Sequence, residues 1–152
     1  MARPNLTQLI EESRVRLRLE TADKSDLLRE LAMIFALDDP QLDLDAITER
    51  LLARAARGPT GRGSGVAIPH GRIPGLESFR IALAIEPSGI PFDAVDGEPV
   101  SIFVAILAPA SQDGAHLRLL AEVSRVLRPK SMREALLAAK SPAEVVALFS
   151  QH

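Results

Sequence analysis

The alternation of apolar and polar residues predicts that the chain begins with a strand followed by a helix. Residues 15–20 alternate strictly between apolar and charged side chains, which is typical of a half-buried strand. After a cap at Thr21 or Asp23, apolar residues recur at helical spacing until the run 38–40, Asp-Asp-Pro, ends the helix. Residues 1–14 have no such pattern, and we expect them to be peripheral.

The middle of the chain is predicted to contain a second helix and then three strands. The helix extends from about Asp43 to Arg57. Residues 66–68 form a short apolar run, and residues 79–86 form a longer one that ends at a turn-rich break, residues 87–91. Residues 100–107 are almost continuously apolar, as expected for a central strand that is buried on both faces.

Three helices are predicted to complete the chain. The first begins at a cap provided by Ser111 or Asp113 and ends at Pro129. Two short amphipathic helices follow, over about Ser131–Lys140 and Pro142–Phe149. Their predicted N-caps are Ser131 and Ser141. Together the elements favour a single α/β domain, residues 1–152 with a core from about 15 to 150, built on a mixed sheet.

The candidate chemistry lies in the stretch 60–72, Thr-Gly-Arg-Gly-Ser-Gly-Val-Ala-Ile-Pro-His-Gly-Arg, which leads from a glycine-rich loop to His70. Neutral imidazole is a nucleophile near neutral pH, and Pro69 and Gly71 place this histidine where regular pairing stops, at a sheet edge. Backbone N–H groups around Gly63, Ser64 and Gly65 can point together at an anion, although an ordinary tight loop explains the same glycines.

Two further side chains occupy unusual places in the predicted helices. Arg54 is at the margin of the apolar stripe of the second helix, where it either covers apolar surface or points at His70. His116 is in the first turn of the third helix, on its apolar face. A helix N-terminus favours anions, so a neutral His116 can donate to a phosphoryl or carboxylate oxygen; alternatively it bonds a loop carbonyl.

Composition excludes several classes of function. The formal charge of −2 gives no general attraction to nucleic acid, and the chain has no Trp or Tyr on which bases could stack. Cysteine is absent, which excludes disulfides and thiolate metal sites. No apolar run reaches the length of a membrane span and no signal peptide is evident, so we expect a cytoplasmic protein. The three carboxylates of residues 92–99 indicate a turn at Asp96-Gly97 rather than a metal site.

The order of these motifs resembles the enzyme IIA domain of the bacterial phosphoenolpyruvate-dependent sugar phosphotransferase system, in its mannitol/fructose class and nitrogen-regulatory branch. The likeness rests on residues 60–72, on residues 91–100, Pro-Phe-Asp-Ala-Val-Asp-Gly-Glu-Pro-Val, and on His116-Leu117 at a helix start. It implies a three-layer sandwich whose sheet is flanked by helices on both faces. It also implies that His70 accepts a phosphoryl group from HPr or an HPr-like protein.

The resemblance further matches Arg54 and His116 to the family's other active-site residues, which would steady the phosphoryl oxygens together with the loop at Gly63–Gly65. Phosphohistidine chemistry of this kind needs neither ATP nor Mg²⁺, so no cofactor is expected. The onward partners would be regulatory targets such as a kinase or channel or, in a sugar-transport role, a IIB domain.

Three departures from the family pattern keep the subfamily open. Ser64 stands where sugar-transporting members often have an acidic residue and nitrogen-branch members an asparagine, Arg72 replaces a common lysine, and Ala55 replaces a common glutamate. Two other classes of function are alternatives to the phosphocarrier. One is a regulatory binding module gated by phosphate charge, and the other is a hydrolase with His70 as general base, for which no paired serine or carboxylate is evident.

Overall fold

A computed structural model describes residues 5–151, which form a six-stranded mixed sheet with helices on both faces. The predicted fold class, a mixed sheet between two helical layers, is confirmed. The strands are β1 (Val15–Leu17), β2 (Gly61–Gly63), β3 (Val66–Ala67), β4 (His70–Ile73), β5 (Arg80–Ile90) and β6 (Val100–Pro109). The helices are α1 (Leu6–Leu9), α2 (Lys24–Asp38), α3 (Leu44–Ala56), α4 (Asp113–Leu127), α5 (Lys130–Ala138) and α6 (Pro142–Ser150), with a 3-10 turn at Glu12–Arg14.

The sheet is organised around β6, which pairs with three other strands. The order is β1-β5-β6-β3-β2, and β4 also pairs with β6. β5 is antiparallel to β6, whereas β3 and β4 are parallel to it. β6 is buried along almost its whole length, which confirms the prediction of a central strand covered on both faces.

Alternation along β5 divides the interior into two cores. Ile81, Leu83 and Ile85 point to the face covered by α4, α5 and α6. The intervening Ala82 and Ala84 point to the face covered by α2 and α3, where small side chains let the helices approach closely. The chain therefore positions α3 and α4 on opposite faces of one sheet.

Two of the predicted N-caps are confirmed, because their side chains accept from a free N–H in the first turn of the helix. Asp23 accepts from the N–H of Asp26, and Ser141 accepts from that of Glu144. The other two predictions are wrong: α4 begins after Gln112, without a side-chain cap from Ser111 or Asp113, and α5 begins after Pro129 rather than at Ser131. Proline presets φ near the helical value, so α5 starts earlier than the serine indicated.

Strand boundaries differ from the prediction at both ends of the sheet. β1 stops at Leu17 rather than continuing to Glu20, because Arg18 and Glu20 adopt positive φ values of 57° and 55°. β5 continues to Ile90 through the expected break, since its register with β6 shifts between Ile85 and Ile90.

The segment predicted to be peripheral is instead packed into the fold, at least from residue 5 onward; residues 1–4 lie outside the described part. Leu6 and Ile10 are buried in the core beside α4 and α6. Arg14 is only 5% exposed and donates to the carbonyl of Ile81 at 2.8 Å and to Asp38 at 2.8 Å. The hydrogen bonds of the buried Arg14 guanidinium therefore hold this segment against β5 and α2.

β3 and β4 form one broken strand along the same side of β6. Val66 and Ala67 pair with Ile102 and Phe103, and His70 resumes the pairing opposite Ile106 after Pro69. Pro69 thus interrupts the pairing rather than ending it, as its carbonyl still accepts from the Ile106 N–H. Within the described residues, β2 pairs only with β3, so no strand among them pairs with the outer edge of β4.

None of the helices formed by residues 5–151 is both long and apolar enough to cross a lipid bilayer.

Candidate functional site

His70 is the first residue of β4, at the open edge of the sheet. The N-terminus of α4 and the C-terminal half of α3 approach this edge from opposite faces. Gly71 makes the approach of α3 possible, because a Cβ atom at this position would lie 3.1 Å from Cβ of Arg50. The sequence indicated the sheet edge correctly but not that Gly71 faces a helix of the same chain.

The orientation of the His70 ring is fixed by hydrogen bonds at both nitrogens. Nδ1 lies 2.8 Å from the carbonyl oxygen of Ile68, which can only accept, so Nδ1 carries the proton. Nε2 accepts from Nε of Arg54 at 3.2 Å and therefore presents its lone pair. Nε2 is thus the nucleophilic atom of this ring.

Burial lowers the pKa of His70 below its ordinary value, and the positive charges of Arg54, Arg62 and Arg72 lower it further. The bond to the carbonyl of Ile68 acts in the opposite direction but does not outweigh them. His70 is therefore neutral at neutral pH, which is the state a nucleophile needs.

Arg54 is held between His70 and the end of its own helix. Nε donates to His70, and Nη1 donates to the carbonyl of Gly58 at 3.0 Å, where α3 has ended. Of the two interpretations of Arg54, the structure favours the side chain aimed at His70. Burial lowers the pKa of Arg54, and Arg57 and Arg62 add to the effect, but guanidinium remains protonated in proteins.

His116 lies beside the His70 ring, one turn into α4. The ring centroids are 5.2 Å apart in an edge-to-face arrangement, with the planes at 83°. His116 is only 4% exposed, and its Nε2 has no hydrogen-bond partner within residues 5–151. Burial first, and then the charges at His70 and Arg72, lower the pKa of His116 to about 4. A neutral ring with an unpartnered buried nitrogen can take up a polar atom of an incoming group.

A cavity of about 600 Å³ opens at these three residues and is rich in positive charge. Besides Arg54, it is lined by Arg50, Arg57 and Arg72, which the sequence analysis did not assign to the site. Residues 50, 54 and 57 are spaced so that they share one helix face. From this spacing the sequence could have predicted that Arg50 and Arg57 lie beside Arg54. Leu117, which is 67% exposed, adds an apolar patch at the rim.

The loop Gly63-Ser64-Gly65 forms the turn between β2 and β3. All three residues have positive φ, and the N–H of Ser64 donates to the Asp96 carboxylate at 3.0 Å. None of the three lines the cavity at His70; Gly63 and Ser64 border a separate, shallow pocket. A contribution of this loop to phosphoryl binding stays a prediction, and the Ser64 N–H already has a partner within the chain.

Asp96 supports the turn in the carboxylate-rich stretch. It accepts from the N–H groups of Ser64 and Glu98, both at 3.0 Å. These bonds to backbone donors lower the pKa of Asp96, that of Glu98 contributing most. No cluster of three potential metal ligands occurs in residues 5–151.

Comparison with known families places the chain in one class of proteins. The family model for EIIA 2 of the phosphoenolpyruvate-dependent sugar phosphotransferase system matches residues 8–152. The chain belongs to this EIIA 2 family. The match includes all three of the residues that meet at the cavity, His70, Arg54 and His116.

Similar proteins within the EIIA 2 family carry regulatory and sugar-specific names. A nitrogen regulatory protein of Pseudomonas aeruginosa is 33% identical over 131 residues, covering 86% of this chain and 85% of that protein. A fructose-specific EIIA component of Haloferax volcanii is 38% identical over 99 residues, covering 65% and 64%. The crystal structure of nitrogen regulatory protein IIA-Ntr from Neisseria meningitidis superposes with a TM-score of 0.88 at 33% identity, covering 95% of this chain and 98% of that one.

As an EIIA 2 domain, the chain presents a candidate nucleophile in a cavity lined by arginines. Nε2 of His70 presents its lone pair beside Arg54, and Nε2 of His116 has no hydrogen-bond partner in the described part of the chain. Arginines can stabilise the equatorial oxygens of a transferring phosphoryl group, and such transfer needs little else from the protein. The arrangement thus fits phosphoryl transfer between histidines.

Proposed function

We propose that this chain is a phosphocarrier of the nitrogen-regulatory kind, in which Nε2 of His70 accepts the phosphoryl group. The single observation that carries the proposal is the paired geometry of the His70 ring. Nδ1 is occupied by the Ile68 carbonyl, whereas Nε2 faces Arg54 at the arginine-rich cavity. Only Nε2 can therefore attack an incoming group.

In the proposed step, the N–P bond of a donor phosphohistidine breaks while a new N–P bond forms at Nε2 of His70. The proton on Nδ1 stays in place, and the positive charge that develops on the ring is stabilised by the Ile68 carbonyl oxygen, 2.8 Å from Nδ1. Arg54 moves its hydrogen bond from the nitrogen lone pair to a phosphoryl oxygen. The donor supplies the bond energy, so neither nucleotide nor metal takes part.

His116 is proposed to steady the same phosphoryl group. Its Nε2 is buried without a hydrogen-bond partner among residues 5–151, and its ring is in edge-to-face contact with the His70 ring. With a pKa of about 4 the ring stays neutral, so it can donate one N–H without adding a charge that would repel the arginines.

The proposed partners follow from this chemistry. The donor is HPr or a nitrogen-branch HPr-like carrier, and the phosphorylated and free forms present different charges to regulatory targets such as a kinase or channel. The regulatory role is supported by the relatives from Pseudomonas and Neisseria. A sugar-transport role, in which the group passes to a IIB domain, is supported by the fructose-specific relative from Haloferax.

Intact-mass spectrometry tests the proposal. The protein is mixed with phosphoenolpyruvate, enzyme I and either HPr or its nitrogen-branch counterpart. We expect a gain of roughly 80 Da that acid removes, as for phosphohistidine. His70→Ala should abolish the gain, whereas His152→Ala, which removes another of the three histidines, should keep it. Labelling of His70→Ala, or none with either carrier, would contradict the proposal.

Adding a IIB domain to the phosphorylated protein separates the two roles. Retention of the group in the presence of fructose- and mannitol-type IIB domains supports the regulatory role. Rapid loss of the group to one of them supports sugar transport.

A further inference from the structure

Arg72 lies on the same face of β4 as His70. Successive strand residues point to opposite faces, and the buried Gly71 separates the two. Two residues along a strand cover about 6.6 Å, which a guanidinium group at the end of an arginine side chain can span. Arg72 lines the cavity together with His70 and His116, and its side chain is 46% exposed.

The guanidinium of Arg72 is directed to α4 instead of to His70. Its Nη1 lies 2.5 Å from Oδ1 of Asp113, the first residue of α4. Asp113 is one turn before His116, so this ion pair joins β4 to the start of the helix that carries the second histidine. The positive charge of Arg72 contributes to the lowered pKa of both His70 and His116, which agrees with its position in the cavity that all three residues line.

We propose that Arg72 is a further phosphoryl-binding residue, held by Asp113 in the unphosphorylated protein and transferred to the phosphoryl group once it is on His70. The inference rests on the function proposed above and adds a residue to it. Arg54 would contact the group from the α3 side and Arg72 from the α4 side.

The exchange of partners is favourable for Arg72. In its pair with Asp113, the Arg72 side chain is half-exposed and the Asp113 side chain is 67% exposed. Ion pairs between such exposed side chains stabilise little. A phosphoryl group carries close to two negative charges, and its oxygens match the planar guanidinium fork better than one monodentate carboxylate.

The exchange is also tolerable for Asp113. A carboxylate in the first turn of a helix interacts favourably with the free N–H groups there, so Asp113 keeps a favourable interaction when Arg72 leaves. Phosphorylation would then free the Asp113 carboxylate close to the exposed Leu117. The phosphorylated protein would differ from the free one at the α4 N-terminus as well as at His70.

A double-mutant cycle on the full chain tests the inference, with the rate of phosphoryl transfer from a phosphorylated HPr-type carrier as the readout. Arg72→Gln should slow transfer by roughly tenfold or more, as loss of one charged donor at a phosphoryl group does, and Arg72→Lys should recover part of it. Asp113→Asn should speed transfer about twofold, because Arg72 is then already free. In the Arg72→Gln background, Asp113→Asn should have no such effect.

Matched controls come from an equivalent exposed pair away from the site. Asp26, in the first turn of α2, lies 3.5 Å from Arg29, and both are exposed. Asp26→Asn and Arg29→Gln should leave the transfer rate unchanged. A second readout is the ³¹P chemical shift of the phosphohistidine, which Arg72→Gln should move and Arg29→Gln should not.

The outcomes distinguish this inference from the proposed function. Wild-type labelling together with an Arg72→Gln rate and ³¹P shift equal to wild type would overturn the role of Arg72 alone. An equal gain from Asp113→Asn with and without Arg72 would overturn the holding role of Asp113. Failure of the wild type to be labelled by any carrier would overturn the proposed function, and this inference with it.

Discussion

Arg54 donates its Nε–H to Nε2 of His70 across 3.2 Å, and this contact joins α3 to the first residue of β4. The contact shows that Nε2 is the ring nitrogen with the lone pair. It also places the permanent positive charge of Arg54 where a phosphoryl group would arrive. The second bond of Arg54, to the carbonyl of Gly58, holds the guanidinium at the end of its helix. The proposed nucleophile and its charged neighbour are therefore set in place before any partner binds.

Replacing Arg54 should have a larger effect on phosphorylation than replacing its neighbours. We expect Arg54→Gln to slow labelling of His70 by roughly 100-fold, the scale for removing one preorganised donor from a transition state. Arg57→Gln is the matched control: Arg57 lines the same cavity, but within residues 5–151 the arginine that hydrogen-bonds to His70 is Arg54. Initial labelling rates measure both; similar rates for the two variants would contradict the assignment.

The same variant should change the titration of His70. The charge of Arg54 is one of the causes that lower the pKa of His70, so its removal should raise that pKa toward the ordinary value. NMR titration of the imidazole ring in wild type and Arg54→Gln measures the shift. A lower pKa in the variant would contradict the electrostatic explanation.

Burial of His116 predicts a loss of folding stability in acid. The unfolded ring takes up a proton near pH 6.5 and the folded ring only near pH 4, so between these values the unfolded state binds more protons. Stability is therefore lost as pH falls through this window. The contribution reaches roughly 3 kcal/mol at pH 4, since one pKa unit corresponds to about 1.4 kcal/mol.

Denaturant unfolding at several pH values isolates the contribution of His116. His116→Gln has no imidazole at this position, so its free energy of unfolding should decline less steeply than that of wild type between pH 6.5 and pH 4. Parallel curves for the two proteins would show that His116 does not titrate as its burial implies.

Much of the fold follows from local sequence patterns. Helical spacing of apolar residues correctly predicted α2 and α3, and the uninterrupted apolar run correctly predicted β6 as a buried central strand. These elements bury a whole stripe or both faces, so their patterns are strong. The caps at Asp23 and Ser141 could be predicted because each side chain reaches its nearest free N–H.

The short strands could not be predicted in the same way. β2 is Gly-Arg-Gly and β4 begins at His70 after a proline, so neither has the composition of a strand. Both exist because a neighbouring strand offers unpaired backbone groups: β4 pairs with β6, and β2 with β3. Tertiary pairing overrides local preference in these segments.

The candidate site was predictable in its members but not in its geometry. His70 and Arg54 stood out because each occupies an odd place in its element, and the structure brings them into contact. The ring nitrogen that faces the cavity depends on the Ile68 carbonyl, which no spacing rule reveals. Apart from its place two residues after His70, nothing in the sequence indicated that Arg72 belongs to the site, since its partner Asp113 is distant in sequence.

Gly71 should affect phosphorylation through packing alone. A methyl group there would lie 3.1 Å from Cβ of Arg50 and 3.6 Å from its carbonyl carbon, so α3 must move by a few tenths of an ångström. Arg54 moves with the helix, and we expect Gly71→Ala to slow labelling of His70 by about two- to tenfold, given the sensitivity of transfer to misplacement.

Gly114→Ala is the control for this substitution. A Cβ at Gly114 would approach nothing closer than the end of the Arg118 side chain at 3.5 Å, and alanine favours helix by up to about 1 kcal/mol. Thermal unfolding and labelling rates should therefore be unchanged or improved in Gly114→Ala. A wild-type labelling rate in Gly71→Ala would contradict the view that close α3 packing positions Arg54.

The most direct test of the central claim is to identify the phosphorylated nitrogen. Phosphorylated protein with ¹⁵N-labelled histidines is examined by NMR, which distinguishes the two ring nitrogens of His70 by their shifts and their coupling to phosphorus. Because Nδ1 donates to the Ile68 carbonyl and Nε2 faces Arg54, phosphorus is predicted on Nε2. Phosphorus on Nδ1, or on another histidine, would contradict the account.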